Sequence, residues 1–326
     1  MSDPSANEGP TVLPGHPGSM PYVGIATFLK LPVATVASLS ELDFVILGIP
    51  YDQGTSNRPG ARFGPRAVRD ASALYSYEGG VELFDVELGR SILEGARVAD
   101  FGDVPIDPSD GDSARAAMTD AVRAILQAGA MPVCIGGDHS VTSSILRAFA
   151  EGPTPKPHLL HLDTHMDFDS YLPRHAHGTP IRLAVEEELV TGVTQLGIRG
   201  LNSGRADWEE ARSRGVNVIT CSRFRAEGIA AVLGSVPADA PLYLSIDIDV
   251  FDPSVAPGTG TPEPGGLGYI EIRELIRAVA AHGRVQGIDL VEVSPQYDHA
   301  QLTSTLAARL LLDTMDAAWS RGTRSR

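Results

Sequence analysis

Eight short apolar segments recur along this chain, and stretches with helical periodicity separate many of them. Most of the eight are continuous apolar runs, which is typical of parallel strands that are covered on both faces. The predicted strands span residues 43–48, 97–101, 131–135, 158–163, 193–197, 216–220, 242–248 and 285–289. This alternation predicts an α/β fold with a doubly wound, mostly parallel sheet and helices on both faces.

The clearest helical pattern covers residues 110–127, and Gly129 supplies a stop signal directly after it. Residues 1–20 are rich in Pro, Gly and Ser and lack apolar periodicity, so we predict a mobile N-terminal tail. No second linker interrupts residues 21–326. We therefore predict a single domain over that range.

Composition excludes several classes of protein. The formal net charge of -15, with no basic cluster, argues against a nucleic-acid partner. The acidity would suit a cationic substrate, although solubility alone also explains it. Two cysteines make a disulfide framework improbable, and no apolar stretch approaches the roughly 18 residues of a membrane span. Because the N-terminus also lacks signal-peptide features, we expect a cytoplasmic protein with no membrane partner.

Four polar motifs follow four of the predicted strands. They are GGDHS at 136–140, DTHMD at 163–167, IDIDVFDP at 246–253 and VEVSP at 291–295. In open parallel sheets, ligands bind in the crevice beyond the carboxyl ends of the strands. We therefore expect the four motifs to converge on one site.

Two of these motifs have the side chains of a metal site. Alternate residues of an extended chain share a face, so Asp163, His165 and Asp167 can point into one site. Carboxylates combined with imidazoles suit Mn, Zn, Fe or Ni. Asp247 and Asp249 alternate with isoleucines in an apolar strand, where bare carboxylates would be very costly to bury. A cation or strong hydrogen bonds must offset that cost.

Two histidines near these motifs are open to a structural interpretation. His139 follows a glycine turn, where a histidine is often only a hydrogen-bonding residue. His161 lies deeper in its strand and is interpreted as a core histidine. If His139 joins the site, two histidines and four aspartates are present. That is too many ligands for one ion and a suitable set for two.

The motifs together resemble those of a known family. GGDHS, DTHMDFD, HGT, SIDIDVFDP with APGTGTPEPGG, and VEVSP occur in the order found in the agmatinase branch of the agmatinase/arginase (ureohydrolase) family. The segments at 51–55 and 58–65 also look similar, so the resemblance runs from about residue 25 to the C-terminus. Thr164 and Met166 depart from the usual pattern, but neither departure removes a ligand.

The resemblance implies a centre of two Mn²⁺ ions per subunit, with Ni²⁺ or Co²⁺ as alternatives. One ion would be held by His139, Asp163, Asp167 and Asp247, and the other by His165, Asp163, Asp247 and Asp249. Asp163 and Asp247 would bridge the two ions. Asp138 and Asp252 would support the ligands without binding metal. The family also implies a homotrimer or homohexamer.

The implied activity is the hydrolysis of a linear guanidino compound to urea and an amine. Glu292 would pair with the guanidinium of the substrate, and Asp167 would carry a proton to the leaving amine. His177 would contact the substrate and shuttle protons to or from solvent, as its near-neutral reference pKa allows.

Two residues between 168 and 176 bear on the charge of the substrate's tail. Asp169 could accept the ammonium of agmatine, whereas Arg174 could bind the carboxylate of 4-guanidinobutyrate. Residues 24–32 look more like those of the guanidino-acid hydrolases, including guanidinobutyrase and proclavaminate amidinohydrolase. We therefore favour a guanidino acid over agmatine.

Two alternatives belong to other functional classes. A binuclear metallophosphoesterase could use similar ligands, but no Lys- or Arg-rich phosphate clamp accompanies these motifs. A non-catalytic subunit of a ureohydrolase assembly would normally have lost ligands, and here all six are present.

Overall fold

Side chains of the central strands alternate between two apolar cores. The computed structural model describes residues 20–76 and 81–324, so nearly all of the predicted tail lies outside the described residues. In the first strand, Phe44 and Ile46 pack into one core, while Val45 and Leu47 pack into the other. Covering both faces of the sheet explains why the strand sequences are continuous apolar runs.

Eight of the ten described strands form one sheet in which every neighbouring pair is parallel. The strands are β1 (Phe44–Gly48), β2 (Leu83–Asp85), β3 (Arg90–Ile92), β4 (Val98–Asp103), β5 (Met131–Ile135), β6 (His158–Leu162), β7 (Gly192–Ile198), β8 (Asn217–Thr220), β9 (Pro241–Asp247) and β10 (Arg284–Val291). The order across the sheet is β4-β1-β5-β10-β9-β6-β7-β8. All eight predicted strands are present, and the predicted parallel sheet is confirmed.

The antiparallel pair of β2 and β3 was not predicted. Each strand has only three residues, and the pair stands outside the main sheet. Strands this short contain no apolar run for a sequence pattern to show.

Helices cover both faces of the sheet. They are α1 (Gly64–Ser72), α2 (Gly111–Gln127), α3 (Val141–Glu151), α4 (Pro180–Glu186), α5 (Arg205–Ser213), α6 (Cys221–Glu227), α7 (Ile229–Leu233), α8 (Tyr269–His282) and α9 (Leu302–Arg324). Apolar residues of α1, α6, α7, α8 and α9 contribute to one core, and those of α2, α3, α4 and α5 contribute to the other. This distribution confirms the doubly wound architecture.

The predicted helix at 110–127 is α2, and local signals explain both of its ends. The Asp110 side chain accepts a hydrogen bond from the Ser113 amide, which stabilises the first turn. Gly129 follows with φ +83°, a conformation that glycine adopts without steric cost.

The topology decides where a site can form. Strands β5, β10, β9 and β6 are consecutive neighbours in the sheet, and each is followed by one of the four polar motifs. Since all four strands run in the same direction, their carboxyl ends lie side by side at the same end of the sheet. The predicted convergence of the motifs follows from this order.

Two further expectations concern cysteines and membranes. Cys134 and Cys221 are both buried and free. Across residues 20–76 and 81–324, none of the helices is long and apolar enough to cross a bilayer.

A buried histidine lies at the amino-terminal end of β6, at the opposite end of the strands from the four polar motifs. His158 begins β6, and its Nε2 lies 3.0 Å from Thr194 Oγ1 on β7. Its ring packs against Gly192, where the absence of a side chain leaves room for it. Burial lowers the pKa of His158 to about 4.

We predict that His158 makes the unfolding free energy depend on pH. Because its folded pKa lies below the unfolded value, its contribution is complete above about pH 6.5 and declines as the pH falls towards 4. Between those limits the wild type should lose about 3 kcal/mol more than a His158→Gln variant. Urea unfolding of both metal-free proteins across this range measures the difference. If the unfolding free energies of the two proteins differed by the same amount at every pH, the prediction would be wrong.

Candidate metal centre

The segment after β6 turns sharply and directs its polar side chains inwards. Asp163 is fully buried, and Asp167 is only 6% exposed. Asp167 has φ +49°, in the left-handed region that non-glycine residues seldom adopt. Its carbonyl accepts hydrogen bonds from the amides of Ile181 and Arg182 in α4. The start of α4 therefore fixes this turn and the Asp167 carboxylate with it.

His139 lies among three carboxylates. Its Nδ1 is 3.0 Å from Asp163 Oδ2, 3.1 Å from Asp167 Oδ2 and 3.0 Å from Asp247 Oδ2. The other ring nitrogen, Nε2, is 2.9 Å from Ser245 Oγ. One ring proton cannot satisfy three carboxylates, so this arrangement calls for further positive charge.

A second group forms around His165. Its Nδ1 lies 3.1 Å from Asp249 Oδ2 and 3.6 Å from Asp163 Oδ1. Asp249 occupies a short 3-10 turn after β9, where its amide donates to Asp247 Oδ1 at 2.8 Å. Asp163 therefore contacts both histidines, one through each carboxylate oxygen.

Burial and like charges raise the pKa of two of the aspartates. The pKa of Asp247 is raised well above its usual range by burial and by the charges of Asp249 and Asp163. Burial and the charge of Asp163 also raise the pKa of Asp249. Burial acts in the opposite direction on His139, but the surrounding carboxylates outweigh it and raise its pKa well above the usual value. More carboxylates than imidazoles are buried here, which is costly without cations.

These side chains fit a metal ion. Two groups have ligand atoms that all lie within 4.8 Å of one another, namely His139, His161, Asp163 and Asp167, and Asp163, His165 and Asp249. Asp163 belongs to both groups. Asp163 Oδ2 and Asp167 Oδ2 are buried and lack an aligned hydrogen-bond donor within the described part of the chain. Imidazole and carboxylate donors together suit a first-row transition metal.

Glu292 lies beside this cluster, directly after β10. Its Oε1 accepts hydrogen bonds from the His139 amide and from His177 Nδ1, each at 2.9 Å. Its Oε2 is buried and has no hydrogen-bond partner among the described residues. Like Asp167, Glu292 has a positive φ, here +64°. One oxygen is thus anchored, and the other is unpaired within the described part of the chain.

His177 connects Glu292 towards the surface. Its Nε2 lies 2.7 Å from the hydroxyl of Ser56, an exposed residue. Burial alone would lower the pKa of His177, but the hydrogen bond and charge of Glu292 raise it to about 9. The Glu292 carboxylate therefore favours the protonated form of the His177 imidazole.

The structure separates the two residues that we considered for the substrate's tail. Asp169 lines the cavity beside the cluster, where burial and the charge of Asp167 raise its pKa to about 6. Arg174 is 56% exposed and pairs with Glu187 at 2.7 Å and with Glu186 at 3.5 Å. It does not line the cavity, because these carboxylates at the end of α4 hold it outside.

Some residues of the cavity wall were not among the predicted site residues. Ser56, Tyr171, Leu172, Asn202 and Thr261 line the same cavity as His139, His165, Asp167 and His177. They come from four loops, since Tyr171 and Leu172 are neighbours, and they belong to none of the four polar strand-end motifs. Their shared location depends on the fold, so no local pattern could indicate it.

Two further aspartates hold loops around the site. Asp138 Oδ2 accepts from the Gly54 amide at 2.7 Å, and Asp138 Oδ1 accepts from the Ser140 amide at 3.0 Å. Asp252 accepts from the amides of Gly265 and Gly266, at 2.8 and 3.0 Å. Hydrogen bonds from Ser254 and these amides lower the pKa of Asp252 to about 2. Both carboxylates thus fix the backbone that carries the ligands.

Comparison with known proteins gives a consistent result. A model of the arginase family matches residues 42–316. Proclavaminate amidinohydrolase of Streptomyces clavuligerus is 40% identical over 296 residues, which cover 89% of this chain and 91% of that protein. Guanidinobutyrase of Pseudomonas aeruginosa is 38% identical over 302 residues, or 90% and 92% of the two chains.

Structural similarity extends over the same length. The solved structure of the Streptomyces clavuligerus proclavaminate amidinohydrolase superposes with a TM-score of 0.82 at 37% identity, covering 93% of this chain and 100% of that one. The resemblance seen in the sequence motifs therefore holds for the whole domain. The chain belongs to the arginase family.

Proposed function

We propose that this protein is an amidinohydrolase with two Mn²⁺ ions that hydrolyses a linear guanidino compound to urea and the corresponding amine. The observation that carries the proposal is the unpaired, buried Oε2 of Glu292 beside a cluster of metal-ligating side chains. The names of its relatives agree, since they are enzymes that act on guanidino compounds.

The two overlapping ligand groups support two ions rather than one. His139, Asp163, Asp167 and Asp247 would hold one ion, and His165, Asp163, Asp247 and Asp249 the other. Bound metal would lower the pKa of water towards about 7, which supplies a nucleophile at neutral pH. We propose Mn²⁺ as the native metal, with Ni²⁺ or Co²⁺ as alternatives.

Glu292 would bind and orient the guanidinium. Its free Oε2 can accept N–H bonds from the substrate, while its Oε1 remains fixed by His139 and His177. A charge-assisted contact of this kind holds the planar guanidinium carbon in one orientation towards the ligands. The substrate thus meets a carboxylate that cannot rotate away.

Two residues would move protons. Asp167 has a buried oxygen without a hydrogen-bond donor and lines the cavity, so it can pass a proton to the leaving amine. His177 lies between Glu292 and the exposed Ser56, an arrangement that connects the site to solvent. The protein therefore has one carrier inside the cavity and another at its edge.

Two candidate substrates remain, and they differ in the charge at the end opposite the guanidinium. A guanidino acid such as 4-guanidinobutyrate is the first candidate, because the relatives named above include a guanidinobutyrase. Agmatine is the second, because Asp169 lines the cavity and could accept its ammonium. Arg174 could bind a carboxylate only after leaving Glu187.

The remaining proposals concern assembly and the phosphoesterase alternative. A homotrimer or homohexamer stays a proposal from family resemblance. A phosphoesterase is less well supported, because within the described part of the chain the cavity lining contains neither Lys nor Arg. A phosphate group would find no cation there other than the metal.

The first prediction of this proposal concerns the bridging ligand. Asp247→Ala should lose both ions, because its carboxylate contacts the group around His139 and would also serve the second ion. His139→Ala should mainly loosen one ion. Asp239→Ala is the control, since that exposed carboxylate precedes β9, at the end of the strand opposite Asp247, and pairs with Arg321, so its loss should leave both ions in place. Metal content after dialysis measures the result, and two tightly held ions in Asp247→Ala would refute the assignment.

A second prediction concerns Glu292→Gln. The amide oxygen can still accept from His139 and His177, so the metal content should stay intact. Loss of the charge-assisted contact should lower kcat/KM by about 10- to 150-fold, equivalent to roughly 1.5–3 kcal/mol. The pKa of His177 should also fall from about 9, because the charge that raises it is gone. Loss of metal in this variant would instead make Glu292 a ligand or a structural support.

A third prediction separates the two tails through Asp169→Asn. If the substrate is a guanidino acid, removing this negative charge should lower its KM by about tenfold, the ratio for roughly 1.4 kcal/mol of charge interaction. If the substrate is agmatine, the same change should raise KM. We expect the wild type to prefer 4-guanidinobutyrate, and uncharged butylguanidine serves as the control substrate.

Arg174 is tested in the same assay. Arg174→Ala is matched by Arg147→Ala, because both arginines pair with Glu187. A rise in KM for 4-guanidinobutyrate in Arg174→Ala alone would show that Arg174 binds the tail. A wild-type preference for agmatine over every guanidino acid would overturn our first candidate.

A further inference from the structure

One arginine joins several backbone segments on one side of the site. Arg199 directly follows β7, and its guanidinium donates hydrogen bonds to six backbone carbonyls. Its other acceptor among the described residues is the sulfur of Cys221, at 3.9 Å. The six carbonyls are those of Gly197, Asp249, Val250, Phe251, Glu263 and Pro264.

Five of these carbonyls belong to two segments after β9. The first segment is the 3-10 turn of Asp249 with the residue that follows it, and Nη2 of Arg199 lies 2.9 Å from the Asp249 carbonyl oxygen. The second is the end of the Pro- and Gly-rich loop, where Nη2 lies 2.8 Å from the carbonyl oxygen of Glu263 and Nε lies 3.1 Å from that of Pro264. This loop also brings Thr261 into the cavity wall. The arginine therefore ties the two ends of the loop together.

The backbone of Arg199 holds a third segment. Its amide donates to the carbonyl of Thr164 at 3.0 Å. Thr164 stands between Asp163 and His165, and its own amide donates to the Asp249 carboxylate at 3.2 Å. Arg199 thus contacts the chain beside both His165 and Asp249, which form the second ligand group together with Asp163.

The first ligand group has separate supports. The His139 amide donates to Glu292, and the turn of Asp167 is fixed by amides at the start of α4. Within the described part of the chain, the hydrogen bonds of Arg199 reach neither His139 nor Asp167. The contacts of this arginine therefore divide the site into two halves.

We propose that Arg199 is a positioning residue for the second metal ion, the one that His165 and Asp249 would hold. The inference rests on the proposed metal centre. The five N–H donors of a guanidinium lie in one plane, so they can fix the backbone on both sides of the group at once. A fixed backbone holds the Asp249 carboxylate opposite His165. Loss of contacts that orient metal ligands typically costs 10- to 100-fold in metal affinity.

Two substitutions remove the contacts in steps. Arg199→Met keeps a long side chain but has none of the five donors. Arg199→Lys keeps the charge and three donors on a single nitrogen, which cannot reproduce the planar set. We expect the affinity for the second ion to fall from the wild type to the lysine variant and further in the methionine variant. The lysine variant remains informative if the methionine variant does not fold.

Titration of Arg199→Lys with Mn²⁺ tests the division of the site. The ion of the His139 group should bind as tightly as in the wild type, whereas the second ion should bind about 10- to 100-fold more weakly. Electron paramagnetic resonance shows whether the bound Mn²⁺ is a coupled pair or an isolated ion. Equal weakening of both ions would indicate a general loss of structure and would contradict the proposal, as would unchanged affinity for both.

Arg225→Lys is the matched control. Arg225 donates to the carbonyls of Gly265 and Gly266 at 3.1 and 2.6 Å, so it binds the same loop. Its hydrogen bonds within the described chain do not reach the turn of Asp249. This variant should bind both ions with the affinities of the wild type. If it also lost the second ion selectively, loosening of the loop would be the cause, and the role given to Arg199 would be wrong.

A readout that needs no metal keeps this inference separate from the proposed function. In metal-free Arg199→Lys, hydrogen–deuterium exchange should be faster than in the wild type over residues 248–252 and 261–267, and unchanged over residues 136–141. Unchanged exchange over all three segments would refute the inference even if the wild type binds two ions. A wild type that binds no metal would refute the proposed function and leave the exchange comparison valid.

Discussion

The candidate site depends on the burial of four carboxylates at the ends of adjacent parallel strands. Asp163, Asp167, Asp247 and Asp249 are at most 6% exposed, and three imidazoles, those of His139, His161 and His165, lie beside them. Such a cluster would repel itself apart if loops alone held it. The sheet prevents this, because ladders of backbone hydrogen bonds fix β6 and β9, which lead directly into these residues. The fold thus maintains a concentration of negative charge that cations are needed to balance.

Contacts around the cluster fix the backbone of two acidic residues, Asp167 and Glu292. Asp167 and Glu292 both have a left-handed backbone, which costs free energy in a non-glycine residue and persists only where neighbouring contacts impose it. For Asp167, the amides at the start of α4 impose it. For Glu292, the amide hydrogen bond to the Gly137 carbonyl contributes, together with the two donors on Oε1. Two of the nine non-glycine residues with a positive φ in the described chain are therefore ones that would handle the substrate and its protons.

Much of this architecture could be predicted from the sequence for a definite physical reason. The strands are buried on both faces, so each appears as an apolar run, and a polar motif directly after such a run must lie at the end of the sheet. The positions of the six candidate ligands followed from that rule together with the family resemblance.

Other features depend on contacts that are distant in the sequence. The side chain of Arg174 turns away from the cavity because Glu187, thirteen residues later, attracts it. The burial of His161 was expected, but its contact with Gln195 comes from the neighbouring strand. Ser56 reaches His177 only because the loop after β1 folds over the site. None of these pairings has a local signature, so the direction of each side chain required the structure.

The central claim is that water attacks the carbon of a guanidinium held between Glu292 and the metal ligands. The most direct test is to incubate the manganese-loaded protein with 4-guanidinobutyrate and with agmatine in ¹⁸O-labelled water, and to analyse the products by mass spectrometry. The account predicts urea that contains one ¹⁸O atom and an amine that contains none from the solvent. Failure to form labelled urea from any guanidino compound, by protein shown to hold its metal, would contradict it.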